Sequence, residues 1–255
     1  MDKKVKTLVF TSVLAALVVI LQLIGGIPIG PFSITLTLIP IVVGAITLGP
    51  VPGLILGLVF GVVVSILSLT GKDPGGQMVF AANPFVAWVM CLLKGAMAGL
   101  LPALVFKLEK KNKYSAELTC GIMGVFLFLS GFAVANYLNG SNDGALAKTG
   151  VKVVVTIIFA VVAAGLLIGL YRMLKTNNSA YYISSIVAPI ANTGIFVVGM
   201  LLFFKPLLQS WAGGSNIMVY VITGLCGINF LIEFLVAVVL SPAVAAIDKY
   251  ASRRL

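Results

Sequence analysis

Residues 83–106 read NPFVAWVMCLLKGAMAGLLPALVF, an apolar stretch with one lysine, Lys94, near its middle. About 20 apolar residues suffice to cross the hydrocarbon of a bilayer as a helix. A lysine at the centre of such a helix costs roughly 2.5–3.5 kcal/mol on insertion scales. Its ammonium is therefore expected to face protein, water or a bound anion rather than lipid. Asn83-Pro84 forms the turn ahead of this helix, and Trp88 lies just inside it. The pattern describes a polar pocket within a membrane protein, with Lys94 at its floor.

Composition agrees. Charged residues make up 9% of the 255, hydrophobic ones 60%, and the mean hydropathy is +1.17. A soluble domain carries about 25% charged residues. Several stretches reach spanning length, and strand-length alternating segments are absent, which sets aside a β-barrel. The expected fold is all-α: a polytopic transmembrane helix bundle of about eight spans, forming a single integral membrane domain over residues 1–255. The apolar run behind Lys3, Lys4 and Lys6 lacks a small-residue cleavage site and reads as a retained first helix, not a signal peptide.

The net charge of +10 reports topology rather than nucleic-acid binding. Twelve of the 17 basic residues fall on one side: at the N-terminus, at Lys107–Lys113, at Arg172 and Lys175, and at the C-terminus. Lys72, Lys148, Lys152 and Lys205 fall on the other, and Lys94 lies within the membrane. That asymmetry places both termini in the cytoplasm. The three cysteines, Cys91, Cys120 and Cys226, sit in apolar segments without metal-like spacing and read as packing residues. Histidine is absent, which removes His-based catalysis and most zinc chemistry. No cofactor, metal or catalytic residue is implied.

Along the chain, a first helix over about 7–24 carries Thr11 and Ala15 on one face, with Ser12 and Ala16 beside them. Small residues four apart let another helix approach closely, within this chain or from a partner protein. Residues 25–33, GGIPIGPFS, form an outer loop. A short second helix spans about 34–48 and holds Pro40; the tight turn Gly49 to Gly53 leads into a third, ending near Leu69. Gly53, Gly57, Gly61 and Ser65 line that third helix at spacing four, the mark of a close helix–helix seam, and Gly95 and Gly99 add another. Residues 70–82 read as a second outer loop, a solvated turn or a gate, with Lys72, Asp73 and Gln77 polar. No GxxxxGK[ST] phosphate loop occurs. Two scaffold spans are expected at about 117–138 and 152–174. The next helix, about 180–204, contains Pro189, Asn192 and Thr193, and an amide at mid-span is expected to face the bundle interior. An outer loop at 205–216 follows. The last helix, about 217–240, carries Asn229 and Glu233 four apart on one face, with Pro242 ending the helical region.

Four stretches, SITLTLIPIVVGAITLGPVPGLILGLVFG (33–61), AANPFVAWVMCLLKGAMAGLLPALVFK (81–107), APIANTGIFVVGMLLFF (188–204) and INFLIEFLVAVVLSP (228–242), come in an order that resembles the substrate-binding S components of energy-coupling-factor vitamin transporters, the pantothenate-type branch most of all. The resemblance implies a six-helix core, here about 7–106 and 180–245, with a vitamin pocket that opens outward and is covered by outer loops. The helix pair at 117–174 departs from the family as an insertion. Thr11, Ser12, Ala15 and Ala16 match the surface that docks on a transmembrane coupling subunit. ATP hydrolysis falls to two separate ATPase subunits, in keeping with the missing phosphate loop, and the setting is a bacterial plasma membrane.

In the pocket so implied, Lys94 neutralises a substrate carboxylate or phosphate, where a low dielectric strengthens the attraction. Asn83, Asn192, Thr193 and Asn229 match hydroxyls and amides, and Trp88 supplies an apolar wall. Glu233 completes the set, either beside the ligand or as an ion-pair partner of Lys94. Two other classes compete. A stand-alone secondary transporter would use Glu233 as a proton or sodium carboxylate, but no inverted repeat is evident. A membrane enzyme would need a paired acid and base, and Glu233 is the one clear intramembrane acid.

Overall fold

The computed structural model describes residues 2–24, 27–29, 32–34, 36–110, 179–214, 216–225 and 227–251, with scattered positions between 153 and 172. The chain divides into two compact units, Met1–Lys111 with Ala180–Leu255, and Asn112–Ser179. The spans expected at 117–138 and 152–174 fall almost wholly outside the described residues. The first unit is a helix bundle with one short β-hairpin near its N-terminal end.

Helix α1, Lys3–Ile24, buries Thr11, Leu14 and Val18 and leaves Leu8, Val13 and Ile24 exposed. Strands β1 (Ile27–Ile29) and β2 (Phe32–Ile34) pair antiparallel with Ile27 opposite Ile34, within the stretch read from the sequence as an outer loop. Helix α2 is Leu38–Leu48, not 34–48. Pro40 suits the late start: its ring crowds the carbonyl four residues back and it has no N–H to offer, so it costs least in a first turn. Thr37 ties this start to the end of α1, its hydroxyl donating to Gln22 Oε1 at 2.8 Å. Among the described residues, α1, α3 (Pro50–Leu69), α5 (Pro84–Glu109) and α6 (Ser179–Phe203) are long and apolar enough to cross a membrane; α2, at 11 residues, is apolar but shorter. A single residue, Gly49, joins α2 to α3, at φ 102 and ψ −173, a conformation essentially confined to glycine.

The seam anticipated from the glycines is formed by α3 and α5, which cross with backbones nearly in contact. A Cβ on Gly53 would collide with the Gly99 carbonyl, one on Gly57 with that of Gly95, and one on Gly61 would stand 2.6 Å from the Cys91 carbonyl oxygen. The reciprocal collisions hold for Gly95 and Gly99. The pairing runs antiparallel, and it sets Phe60 and Lys94, each one residue from a seam glycine, side by side.

Three further expectations change. Residues 70–82 are not a loop: after Thr70–Asp73 comes helix α4, Pro74–Ala82. Within 205–216 lies helix α7, Lys205–Ala212, with Pro206 in its first turn and Gly213 left-handed (φ 57) just past its end. The final segment is not one helix stopped by Pro242. Helix α8 (Ile217–Tyr220) runs into a π-helical turn at Val221–Leu225, and α9 then extends from Gly227 through Pro242 to Ala251. Ser241, ahead of the proline, donates its hydroxyl to the Ala237 carbonyl at 2.6 Å.

That extension matters for the fold. Asp248, near the end of α9, accepts a 2.7 Å hydrogen bond from the Tyr181 hydroxyl at the start of α6, both buried. The Tyr181 ring also lies 4.8 Å from that of Phe106 near the end of α5. Three helix ends are thus tied at one place. Tyr181→Phe keeps the ring contact but leaves a buried carboxylate without its donor, a loss of about 1.5–3 kcal/mol. We expect a clear drop in melting temperature of the detergent-solubilised protein; an unchanged value would mean that water replaces the bond.

Candidate functional site

Where α1 and α3 end and α4 and α5 begin, the bundle encloses a cavity of about 300 Å³. Lys94 reaches it from α5, Asn192, Thr193 and Phe196 from α6, and Glu233 from α9. At roughly 1.5 Å per residue, Lys94 lies about 16 Å along α5 from Asn83, well inside the bundle. The α3–α5 seam turns Phe60 towards the same space. The Lys94 Nζ sits 5.1 Å from the ring centre of Phe196 and 6.0 Å from that of Phe60. Ring faces carry negative potential, so this half-buried ammonium is held by aromatic quadrupoles.

Around it the polar groups are mostly buried. Asn192 is 8% exposed, and its Oδ1 has no hydrogen-bond partner among the described residues. Glu233 is equally buried and also lines a second, smaller cavity of about 20 Å³ beside Ser185 and Val42. Pro189 has no N–H for the carbonyl of Ser185, four residues back, and Ser185 lines that smaller space. The π-helical turn lies next to the site, and its last residue, Leu225, lines the wall; such turns recur at functional positions in helices.

Of the residues anticipated from sequence, the cavity unites Lys94, Asn192, Thr193 and Glu233. Asn83 is elsewhere: exposed, it caps α5, its Oδ1 accepting from the Val86 N–H at 3.2 Å. Trp88 stands behind the wall rather than in it, packed edge-on against the lining residue Phe80 with ring centres 6.0 Å apart. The backbone of Asn229 belongs to α9, one turn before Glu233, and its side chain lies outside the described residues. On α1 the small residues divide. Thr11 is buried within the chain and Ala15 half-buried, whereas Ser12 and Ala16 are exposed.

Several lining residues carry little or no signal in the sequence. Phe60, Phe196 and Met90 are ordinary apolar residues of spanning helices. Gln22 is different: as an amide in an apolar helix it carries the same signal as Asn192, and burial cost alone could have found it. Lys72, Asp73 and Gly76, from the segment that reads as a solvated turn or a gate, line the mouth together with Ser68 of α3. Among the described residues no group of three His, Cys, Asp or Glu is placed to hold a metal ion. The arrangement can bind a solute: a cation on aromatic faces, a buried amide, a carboxylate and apolar walls.

The model of the ECF transporter substrate-specific component family matches residues 6–141, just over half of the 255. No curated protein and no solved structure matches significantly. The matched segment contains the seam, the lysine and the mouth of the cavity, and the family's members are membrane-embedded subunits that bind substrate without catalysing a reaction. This multi-pass membrane chain therefore belongs to the substrate-specific (S) components of ECF transporters.

Proposed function

We propose that the chain captures a water-soluble vitamin bearing an anionic group, pantothenate being the named candidate, from the cell exterior. It passes the vitamin inward together with a transmembrane coupling subunit and two ATPase subunits. One observation carries the reading: the Lys94 ammonium, held over Phe60 and Phe196, lines a cavity together with Asn192, whose buried Oδ1 has no hydrogen-bond partner among the described residues. A buried cation is tolerated where an anion arrives to meet it. Asn192 and Thr193 bind hydroxyl and amide groups of the ligand, and Asn229 joins them by its register with Glu233. Asn83 and Trp88 act one step back, shaping the start of α5 and supporting Phe80. With both termini cytoplasmic, the exposed Ser12–Ala16 column is the part of α1 left open to the coupling subunit.

The test is reconstitution. In liposomes, the chain alone is expected to bind pantothenate and transport none. Uptake appears when coupling subunit, ATPases and ATP are added. Pantothenate uptake driven by an ion gradient with this chain alone would overturn the reading and make it a secondary transporter.

A further inference from the structure

We infer that the cavity holds a second, electronegative anchor at its mouth, and so takes an elongated ligand with an acid at one end and a hydrogen-bond donor, hydroxyl or ammonium, at the other. The inference rests on Lys94 as the receptor of the acid and adds the opposite end of the ligand.

Asp73 stands at the N-cap of α4 with extended backbone (φ −121, ψ 95). There an aspartate ordinarily turns its carboxylate onto the N–H groups of the first turn. This one makes no capping bond. Its Oδ2 accepts from the Ser68 hydroxyl at 3.2 Å, and its Oδ1 is buried with no hydrogen-bond partner among the described residues. Gly76, in the first turn of α4, permits this placement, because a Cβ there would collide with Ser68 Oγ and Asp73 Oδ2. All three residues line the cavity. Oδ1 of the nine-tenths-buried Asn192, which also has no hydrogen-bond partner among the described residues, is likewise an acceptor. A ligand that meets both must bring donors.

The spacing follows from α3. Phe60 lies beneath Lys94, and Ser68 holds Asp73 eight residues further along the same helix, about 12 Å at 1.5 Å per residue. Between them the wall is apolar: Val64 and Leu67 from α3, Val79 and Phe80 from α4. Lys94 thus lies at one end of an apolar waist and Asp73 at the other, and Glu233, from α9, adds a second carboxylate to the lining. Lys72 lines the mouth too, but it is exposed, where solvent screens its charge. A second acid on the ligand would face Asp73 and be repelled.

Octanoate, 8-aminooctanoate and octanedioate share one chain length and differ only at the second end. Titrated against the purified full chain by calorimetry, 8-aminooctanoate is expected to bind about tenfold more tightly than octanoate, the value of one charge-assisted hydrogen bond partly exposed to water. Octanedioate should bind more weakly than octanoate. Asp73→Asn should erase the first difference and strengthen octanedioate, a gain that misfolding cannot produce. Ser68→Ala, which frees the carboxylate to swing, should narrow the first difference without reversing the second. Equal affinities of the wild type for 8-aminooctanoate and octanedioate would overturn the anchor and leave Lys94 in place. Failure of all three acids to bind would overturn the Lys94 reading as well.

Discussion

Gly57→Val is expected to abolish the folded protein. Gly57 faces the Gly95 carbonyl with no room for a Cβ, and the obstacle is backbone, which cannot rotate away as a side chain can. Valine would force α3 and α5 apart along their whole contact, because Gly53 against Gly99 and Gly61 against Cys91 share the same separation. Overpacking a well-filled core costs about 1–3 kcal/mol where side chains can yield. Here they cannot, so the cost is at least at the top of that range. Within a bilayer no hydrophobic force presses the helices together again, since lipid is as apolar as valine, and close packing is what holds the pair. The check is the yield of monodisperse protein after detergent extraction, beside Gly194→Ala as control. At Gly194 an added Cβ meets nothing within 4 Å, and alanine should be neutral or slightly stabilising. A Gly57→Val protein with wild-type yield and melting temperature would mean that α3 and α5 are not closely apposed.

This seam was legible from the sequence because glycine at every fourth position is a steric message complete in itself. Lys94 was legible for a similar reason: lipid rejects an ammonium, so the residue implies a polar space around it before any neighbour is known. Asn192 and Glu233 follow the same logic. The mouth of the site was not legible, because its residues speak an ambiguous language. TGKDPGGQMV reads as a turn, yet its adjacent glycines, Gly75 and Gly76, are buried in the first turn of α4. Asp73 reads as a solvated turn residue and faces the cavity instead. Asn83 misleads in the opposite sense: an asparagine before a proline and an apolar run is a helix-capping signal as much as a ligand-binding one, and capping is what it does. Phe60 and Phe196 could not be chosen from 15 phenylalanines until the seam and α6 set them against one ammonium. Period and burial cost are properties of a stretch, whereas a site's wall is a property of which stretches meet.

Lys94→Met should separate binding from stability by moving them in opposite directions. Methionine keeps an unbranched apolar stem against Phe60 and Phe196 and removes the charge. The empty protein is then relieved of a half-buried ammonium, whose cost rises to roughly 2.5–3.5 kcal/mol at mid-membrane. It gives up a cation–π attraction of about 0.5–2 kcal/mol. The balance favours the variant, so its melting temperature without ligand should rise by a few degrees. Binding of an anion should fall, because a charge-assisted contact shielded from water carries about 3 kcal/mol, or ~100-fold in affinity. Pantothenol, in which an alcohol replaces the carboxylate of pantothenate, supplies the comparison: its affinity should change less than about threefold, the size of a neutral contact. Both readings come from one thermal titration of wild type and variant with the two ligands. Equal losses for acid and alcohol, or a variant that melts below the wild type, would make Lys94 a structural residue. The opposed signs are the physical content of the proposal: a site that has to receive a charge keeps its own charge desolvated while it waits, and removing that charge should steady the protein as it disables it.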